Sequence, residues 1–210
     1  NKYNLRSLID SLSFNTIFNK KYKRIQESDL YGLFQISSGK TKKNLILNAG
    51  NSGTLARLIS GLLIHSKYKI IIKGDKSLSK RDFFRIINPL KKFGAKFYSN
   101  NGKLPLEIIG TNHAKPIRYF ENKGSAQCKS SVMLAAINTK GTTFIKAKKS
   151  RDHSELLFKS MGLKIKINKK KNYDLIKING KKAIKPCNYI IPSDIFYCVN
   201  CIIKKFKIKN

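Results

Sequence analysis

Apolar residues recur along this chain at two spacings, and the switches between them mark out its elements. Leu55, Leu58, Ile59, Leu62 and Leu63 fall at i, i+3, i+4, i+7 and i+8, one stripe of an α-helix. Leu45-Ile46-Leu47-Asn48 predicts a strand before it, and Tyr68 to Lys73 predicts the strand after it. A second amphipathic segment follows Arg81-Asp82 and ends in Lys91-Lys92-Phe93-Gly94-Ala95-Lys96-Phe97, where the glycine stops a helix and a strand begins. The polar turn Ser99-Asn100-Asn101-Gly102 then leads into Leu104-Pro105-Leu106-Glu107-Ile108-Ile109-Gly110. The unit reads strand, helix, strand, helix, strand, strand.

The same order returns about 70 residues later, which decides the architecture more than any local propensity. Arg81-Asp82 reappears as Arg151-Asp152, the helix stop at Gly94 as Lys159-Ser160-Met161-Gly162, and the closing Gly110 as Gly180. Ahead of both stands a shorter copy: Leu5 to Leu12 as helix, Asn15-Thr16-Ile17-Phe18 as strand, and a return strand ending near Gly39. The expected fold class is α/β, with βαβαββ units in three copies, the first truncated, whose helices share one core. The copies cover about residues 1–40, 41–110 and 111–182.

Composition fits a folded chain. Of 210 residues, 41% are apolar and 10% aromatic, too many for a disordered polycation even at a net charge of +33. The charge comes from 37 Lys and only 7 Arg, scattered from Lys2 to Lys209, in a chain rich in Ile and Asn. That mix is what an AT-rich coding bias supplies. A dedicated nucleic-acid site would cluster its cations and favour Arg forks, so the expectation is a solvated basic surface with only nonspecific attraction to nucleic acid. No apolar run approaches the ~20 residues of a membrane span, and Asn1-Lys2-Tyr3-Asn4 does not open a signal peptide. A cytoplasmic protein without membrane contact is expected. Cys198 and Cys201 form a C-x-x-C with no second pair, so they, Cys128 and Cys187 read as thiols and no metal site is expected.

The chemistry gathers at helix starts. Ala49-Gly50-Asn51-Ser52-Gly53-Thr54 opens the striped helix, and Gly124-Ser125-Ala126-Gln127 takes the matching place one repeat later, ahead of Ser131 to Ile137. Glycine admits an anion close to the backbone, and the free N–H groups favour negative charge. A Ser N-cap is also an ordinary structural device. Paired in register, with Arg57 one turn in and Arg81 after the next strand, the loops suggest a shared anion site. Arg81 and Arg151 each precede an aspartate that could cap a helix, and Asp152-His153-Ser154-Glu155 has the spacing of a capping box. An arginine facing a helix start is unhelpful to that helix, and its repetition points to an anion.

These residues resemble a known family. Leu47-Asn48-Ala49-Gly50-Asn51-Ser52-Gly53-Thr54-Leu55-Ala56-Arg57, Gly74-Asp75-Lys76-Ser77-Leu78-Ser79-Lys80-Arg81, Ser125-Ala126-Gln127-Cys128-Lys129-Ser130 and Ser150-Arg151-Asp152-His153-Ser154-Glu155 resemble, in order and spacing, the motifs of 5-enolpyruvylshikimate-3-phosphate synthases. Ile191-Pro192-Ser193-Asp194-Ile195 resembles a later Pro-Gly-Asp-Ile segment. The resemblance implies an enolpyruvyl-transferase lobe over residues 1–190, with parallel core helices, and the start of a crossover to a second lobe over 191–210. It implies transfer of the enolpyruvyl group of phosphoenolpyruvate to the 5-hydroxyl of shikimate 3-phosphate, releasing phosphate, without cofactor or metal.

By position, Ser125, Ala126, Gln127, Ser150 and Arg151 would hold shikimate 3-phosphate. Gly53, Arg81 and again Gln127 would hold phosphoenolpyruvate, with Asn51, Ser52, Thr54 and Arg57 shaping that loop, and a bulkier residue at Gly53 would crowd the space taken by the inhibitor glyphosate. Against the family pattern, Asp82 stands where Pro is common and Ser193 where Gly is usual. The early Lys-Ser segment and the second lobe, which carry the catalytic acid/base groups, have no counterpart here, so catalytic residues are expected outside this chain and His153 and Glu155 are read as caps. The chain alone is expected to be inactive, its second lobe lying in cis or in trans. The alternative is a remnant lobe acting as a basic binding protein for nucleic acid or acidic partners.

Overall fold

The computed structural model describes residues 44–181, and the βαβαββ order is seen twice within them. The first unit runs β1 (Asn44–Asn48), α1 (Gly53–Leu63), β2 (Lys69–Lys73), α2 (Lys76–Ser79), α3 (Phe84–Lys91), β3 (Lys96–Asn100) and β4 (Lys103–Ile109). The second runs β5 (Arg118–Glu121), α4 (Ala126–Ile137), β6 (Gly141–Lys148), α5 (His153–Ser160), β7 (Ile165–Lys169) and β8 (Tyr173–Gly180). The short helix α2 is an addition to the expected order. The copy expected near residues 1–40, the segment around Ser193, and Cys187, Cys198 and Cys201 lie outside the described residues.

Each unit folds into one four-stranded sheet, ordered β1-β2-β4-β3 and β5-β6-β8-β7. In both, the first two strands are parallel, because a helix carries the chain back between them, and the last two form an antiparallel hairpin. Alternation decides the faces: Ile70, Ile72, Leu106 and Ile108 in one sheet and Ile145, Ile176 and Ile178 in the other are buried against the helices. The lysines between them, Lys103, Lys146 and Lys177 among others, face out.

The helices α1 and α4 lie side by side and parallel. At one end Arg57 Nη1 donates to Gln127 Oε1 at 2.8 Å; further along Ser131 Oγ donates to the Arg57 carbonyl at 2.8 Å; at the far end His65 Nε2 lies 3.0 Å from the Ala135 carbonyl. Such close approach needs Gly61, where a Cβ would run into the Ser131 carbonyl. Helix α4 is enclosed on nearly every side, from Cys128 through Val132 and Met133 to Ile137, each large apolar side chain contributing roughly 1.5–3 kcal/mol of burial. The closing glycines explain their own repetition. Added side chains at Gly110 and Gly180 would collide with the backbone at the ends of α1 and α4, and the next residues, Thr111 and Lys181, donate to the Ile64 and Ile137 carbonyls at 2.8 and 2.7 Å.

Candidate functional site

Helix α1 starts at Gly53 because Ser52, in an extended conformation, accepts the Leu55 N–H on its Oγ at 3.2 Å. The loop before it turns at Gly50, whose φ of +55° is left-handed and whose N–H meets Asn48 Oδ1 at 2.9 Å. A second loop locks onto the first. The Asp75 N–H donates to the Gly50 carbonyl at 2.8 Å, and Asn51 Nδ2 donates to Asp75 Oδ2 at 2.6 Å. Asp75 Oδ1 meanwhile accepts the Leu78 N–H at 2.7 Å, capping α2. The Leu78 bond is the chief reason that the Asp75 carboxyl titrates below its ordinary range, with Asn51 and Arg81 adding to it. Arg81, at the exit of α2, donates from Nη2 to Asn51 Oδ1 at 3.3 Å.

Helix α4 starts the same way, with Ser125 Oγ accepting the Cys128 N–H at 3.3 Å after a left-handed Gly124. Here the loop is held by Glu121, buried at the end of β5. Its carboxylate accepts the N–H groups of Ser125 and Lys123 at 2.8 and 3.2 Å and Arg85 Nη2 at 3.4 Å. Neither α1 nor α4 has an acidic residue in its first turn; the carboxylate at the start of α4 is that of Glu121, at the end of the strand before it.

Gln127 joins the two starts. It donates from Nε2 to Thr54 Oγ1 at 2.7 Å while its Oε1 accepts from Arg57. Arg57 also reaches the Asp82 carbonyl at 3.4 Å and stacks over Phe83 at 5.2 Å. Burial lowers the Arg57 pKa, and Arg81 and Arg85 push it further down against Cys128 and Asp82. A bound anion would relieve that crowding. A Cβ at Gly53 would stand 3.1 Å from Nη1 of both Arg57 and Arg81, so the bare backbone faces two guanidinium groups. Asn51, Gly53, Thr54, Arg57, Arg81 and Gln127 form one cluster, with the capping residues Ser52 and Ser125 at its rim and Ala126 as the first residue of α4.

Ser150 and Arg151 are linked to this cluster through α4. Lys129 Nζ donates to the Arg151 carbonyl at 2.8 Å, and a Cβ at Gly124 would come within 3.2 Å of the Lys149 carbonyl. Ser150 Oγ is buried without a hydrogen-bond partner among the described residues. The expected capping box is absent. Asp152 makes no cap bond and instead pairs with Lys169 at 3.0 Å, which is the main reason its carboxyl titrates low. Glu155 is buried against Lys129 rather than reaching back along its own helix, and His153 is exposed as the first residue of α5. Asp82 lies one residue before the N-cap Phe83, which makes no side-chain cap bond, and its Oδ1 accepts the Phe84 N–H at 2.7 Å.

Sequence reasoning overlooked Asp75, Glu121, Arg85 and Lys129 as builders of the site. Asp75 carried a signal, standing three residues before Leu78 as a capping aspartate does; Lys129, the one charged residue of its helix, carried another. An open groove of about 650 Å³ lies on the outer face of the second sheet, between Phe120, Phe144, Lys146 and Lys177, and shares no residue with the cluster. Its walls are sheet side chains, with Arg118 stacked over Phe144, and no helix start opens into it. Among the described residues no group of three His, Cys, Asp or Glu side chains could hold a metal ion, and no helix is long and apolar enough to cross a membrane.

Known proteins resemble this chain in sequence and in fold. The family model of EPSP synthase (3-phosphoshikimate 1-carboxyvinyltransferase) matches residues 10–203. A 3-phosphoshikimate 1-carboxyvinyltransferase of Ruthia magnifica is 42% identical over 89% of this chain and 42% of its own length. That of Vesicomyosocius okutanii is 41% identical over 81% and 39%. The solved EPSP synthase of Acinetobacter baumannii superposes with a TM-score of 0.65 at 35% identity, covering 71% of this chain and 34% of its own. The enolpyruvyl transferase NikO of Streptomyces tendae, at 14% identity and a TM-score of 0.50, shares the fold. The chain thus spans about two fifths of the length of these curated relatives. With four ordered motifs converging on two paired helix starts and the family model covering most of its length, the chain belongs to the EPSP synthase family.

Proposed function

We propose that this chain is the substrate-binding lobe of an enzyme that transfers the enolpyruvyl group of phosphoenolpyruvate to the 5-hydroxyl of shikimate 3-phosphate. Residues 1–190 form the lobe, as three repeats, and 191–210 begin the crossover to a second lobe supplied in cis or in trans. That lobe brings the acid/base groups, which move a proton from the hydroxyl and to the donor methylene. The work takes place in the cytoplasm. The shikimate 3-phosphate site comprises Ser125, Ala126, Gln127, Ser150 and Arg151; the phosphoenolpyruvate site comprises Gly53, Arg81 and Gln127, supported by Asn51, Ser52, Thr54 and Arg57.

The observation that carries this is the meeting of Gly53 with Arg57 and Arg81 on one side and Gln127 on the other, which joins two helix starts into one cationic surface. Both substrates are anions, and charge-assisted bonds from guanidinium groups contribute about 1.5–3 kcal/mol each. Gln127 can orient both ligands because it bridges the loops. A tetrahedral adduct of the two substrates, which loses phosphate to give the enolpyruvyl ether, would span the same surface. Titrating the chain with shikimate 3-phosphate is the direct test. Amide resonances of Ser125 and Gln127 are expected to shift, with no turnover; unshifted resonances would remove the site assignment.

A further inference from the structure

Lys129 lies in the first turn of α4 at 0% exposure, its ammonium paired with Glu155 and donating to the Arg151 carbonyl at 2.8 Å. Electrostatics of the helix does not account for it, since a cation at a helix start opposes the dipole. Nor does stability, because a buried ion pair is often no better than apolar residues of the same volume. What the couple does have is a particular geometry. Glu155 stands in the first turn of α5, directly after the Ser150-Arg151 loop, and a Ser130–Ser154 hydroxyl bond of 2.6 Å ties the same two turns together. Within the loop so held, Ser150 Oγ is enclosed and unpartnered among the described residues.

We propose that Lys129, held in place by Glu155, is a positioning residue: by fixing the Arg151 carbonyl it sets the Ser150-Arg151 loop against the start of α4, so that both present a single surface to the ligand phosphate. This rests on the assignment of shikimate 3-phosphate to Ser125, Gln127, Ser150 and Arg151. Lys129 itself does not touch the ligand; its ammonium is consumed by the carboxylate and the carbonyl.

The test uses the full chain carrying Lys129→Met together with Glu155→Gln, which keeps the core volume and strands no buried charge. The paired variant is expected to melt within a few degrees of the parent, yet to bind shikimate 3-phosphate at least tenfold more weakly. Its response to phosphoenolpyruvate at Gly53 should change less than twofold, and amide exchange at residues 150–152 should accelerate. A folded variant with unchanged exchange there, or with parental affinity for shikimate 3-phosphate, overturns the proposal. A parent chain that ignores shikimate 3-phosphate overturns the substrate assignment instead, and the exchange measurement still judges the positioning of the loop.

Discussion

In the unit from β1 to β4, the loop before the central helix is held by exposed side chains, Asn51 to Asp75 and Arg81 to Asn51, with the half-buried Arg57 joining Arg81 opposite Gly53. In the unit from β5 to β8, the matching loop is held by buried charge: Glu121 gathers the amides before Ser125, and Lys129 with Glu155 fixes the loop beyond. The frame is the same, down to the Ser caps and the closing glycines. Exposed charges can move to meet an anion and bury it between them, whereas enclosed charges fix the backbone, here around a Ser150 hydroxyl unpartnered among the described residues. The same repeat thus carries accessible charge in one copy and enclosed charge in the other.

That contrast is open to attack, most forcefully through its ion pairs. Glu155→Ala leaves Lys129 buried without a counter-charge, and urea unfolding is expected to show a loss of about 3–5 kcal/mol. Glu107→Ala removes a carboxylate paired at 2.8 Å with Lys69 on the outer face of the first sheet, for a loss of about 0–1 kcal/mol. Equal losses would erase the distinction between the halves. Gly61→Ala forces the helix pair apart at Ser131 and should lower stability by about 1–3 kcal/mol; a melting temperature equal to the parent's would mean that the helices pack less closely than described.

Smaller effects sharpen the picture. Gly53→Ala pushes the two guanidinium groups by a few tenths of an ångström without unfolding the chain. In the complete two-lobed enzyme it should weaken glyphosate inhibition roughly tenfold, about 1.4 kcal/mol, and an unchanged inhibition curve would take Gly53 out of that space. Ser52→Ala and Ser125→Ala should each cost about 1 kcal/mol as lost caps. Only the second is expected to reduce affinity for shikimate 3-phosphate, and an equal reduction from both would contradict the division of ligands.

The smallest effect concerns His65. Its pKa lies below the ordinary 6.5 because burial disfavours the charged ring, a shift only partly offset by the Ala135 carbonyl. The unfolded chain takes up the proton first, so stability is full above pH 6.5 and declines as pH falls toward the folded value. His65→Gln should flatten the melting profile across that window; a profile as steep as the parent's would assign the decline to other groups.

How much of this could be read beforehand depended on whether a signal was local. In α1 the large apolar residues alternate with Thr54, Arg57, Ser60 and Gly61, so the period is visible although Ile59 to Leu63 are all buried; α4 is covered on nearly all sides, and its burial shows no clear face. Asp82 holds the first amide of its helix from just outside the N-cap, while Asp152 in the same motif holds none, because Lys169 and Lys129 take the carboxylates that a capping box would use. Spacing gives the opportunity for a cap, and the neighbours across the fold decide whether it is taken.

The sequence by itself determined the two copies seen between residues 44 and 181, their order of strands and helices apart from the short α2, the two capped helix starts and the family, since each is written in short-range patterns of apolar residues, glycines and hydroxyls. Only the tertiary structure decided that Gln127 would bridge to Thr54 and Arg57, that Arg81 would stand over Gly53, and that Lys129 would meet Glu155 in the interior. Those pairings join residues more than twenty positions apart. Their partners are chosen by how closely two helices and two loops can approach, a property of packing that no local pattern encodes.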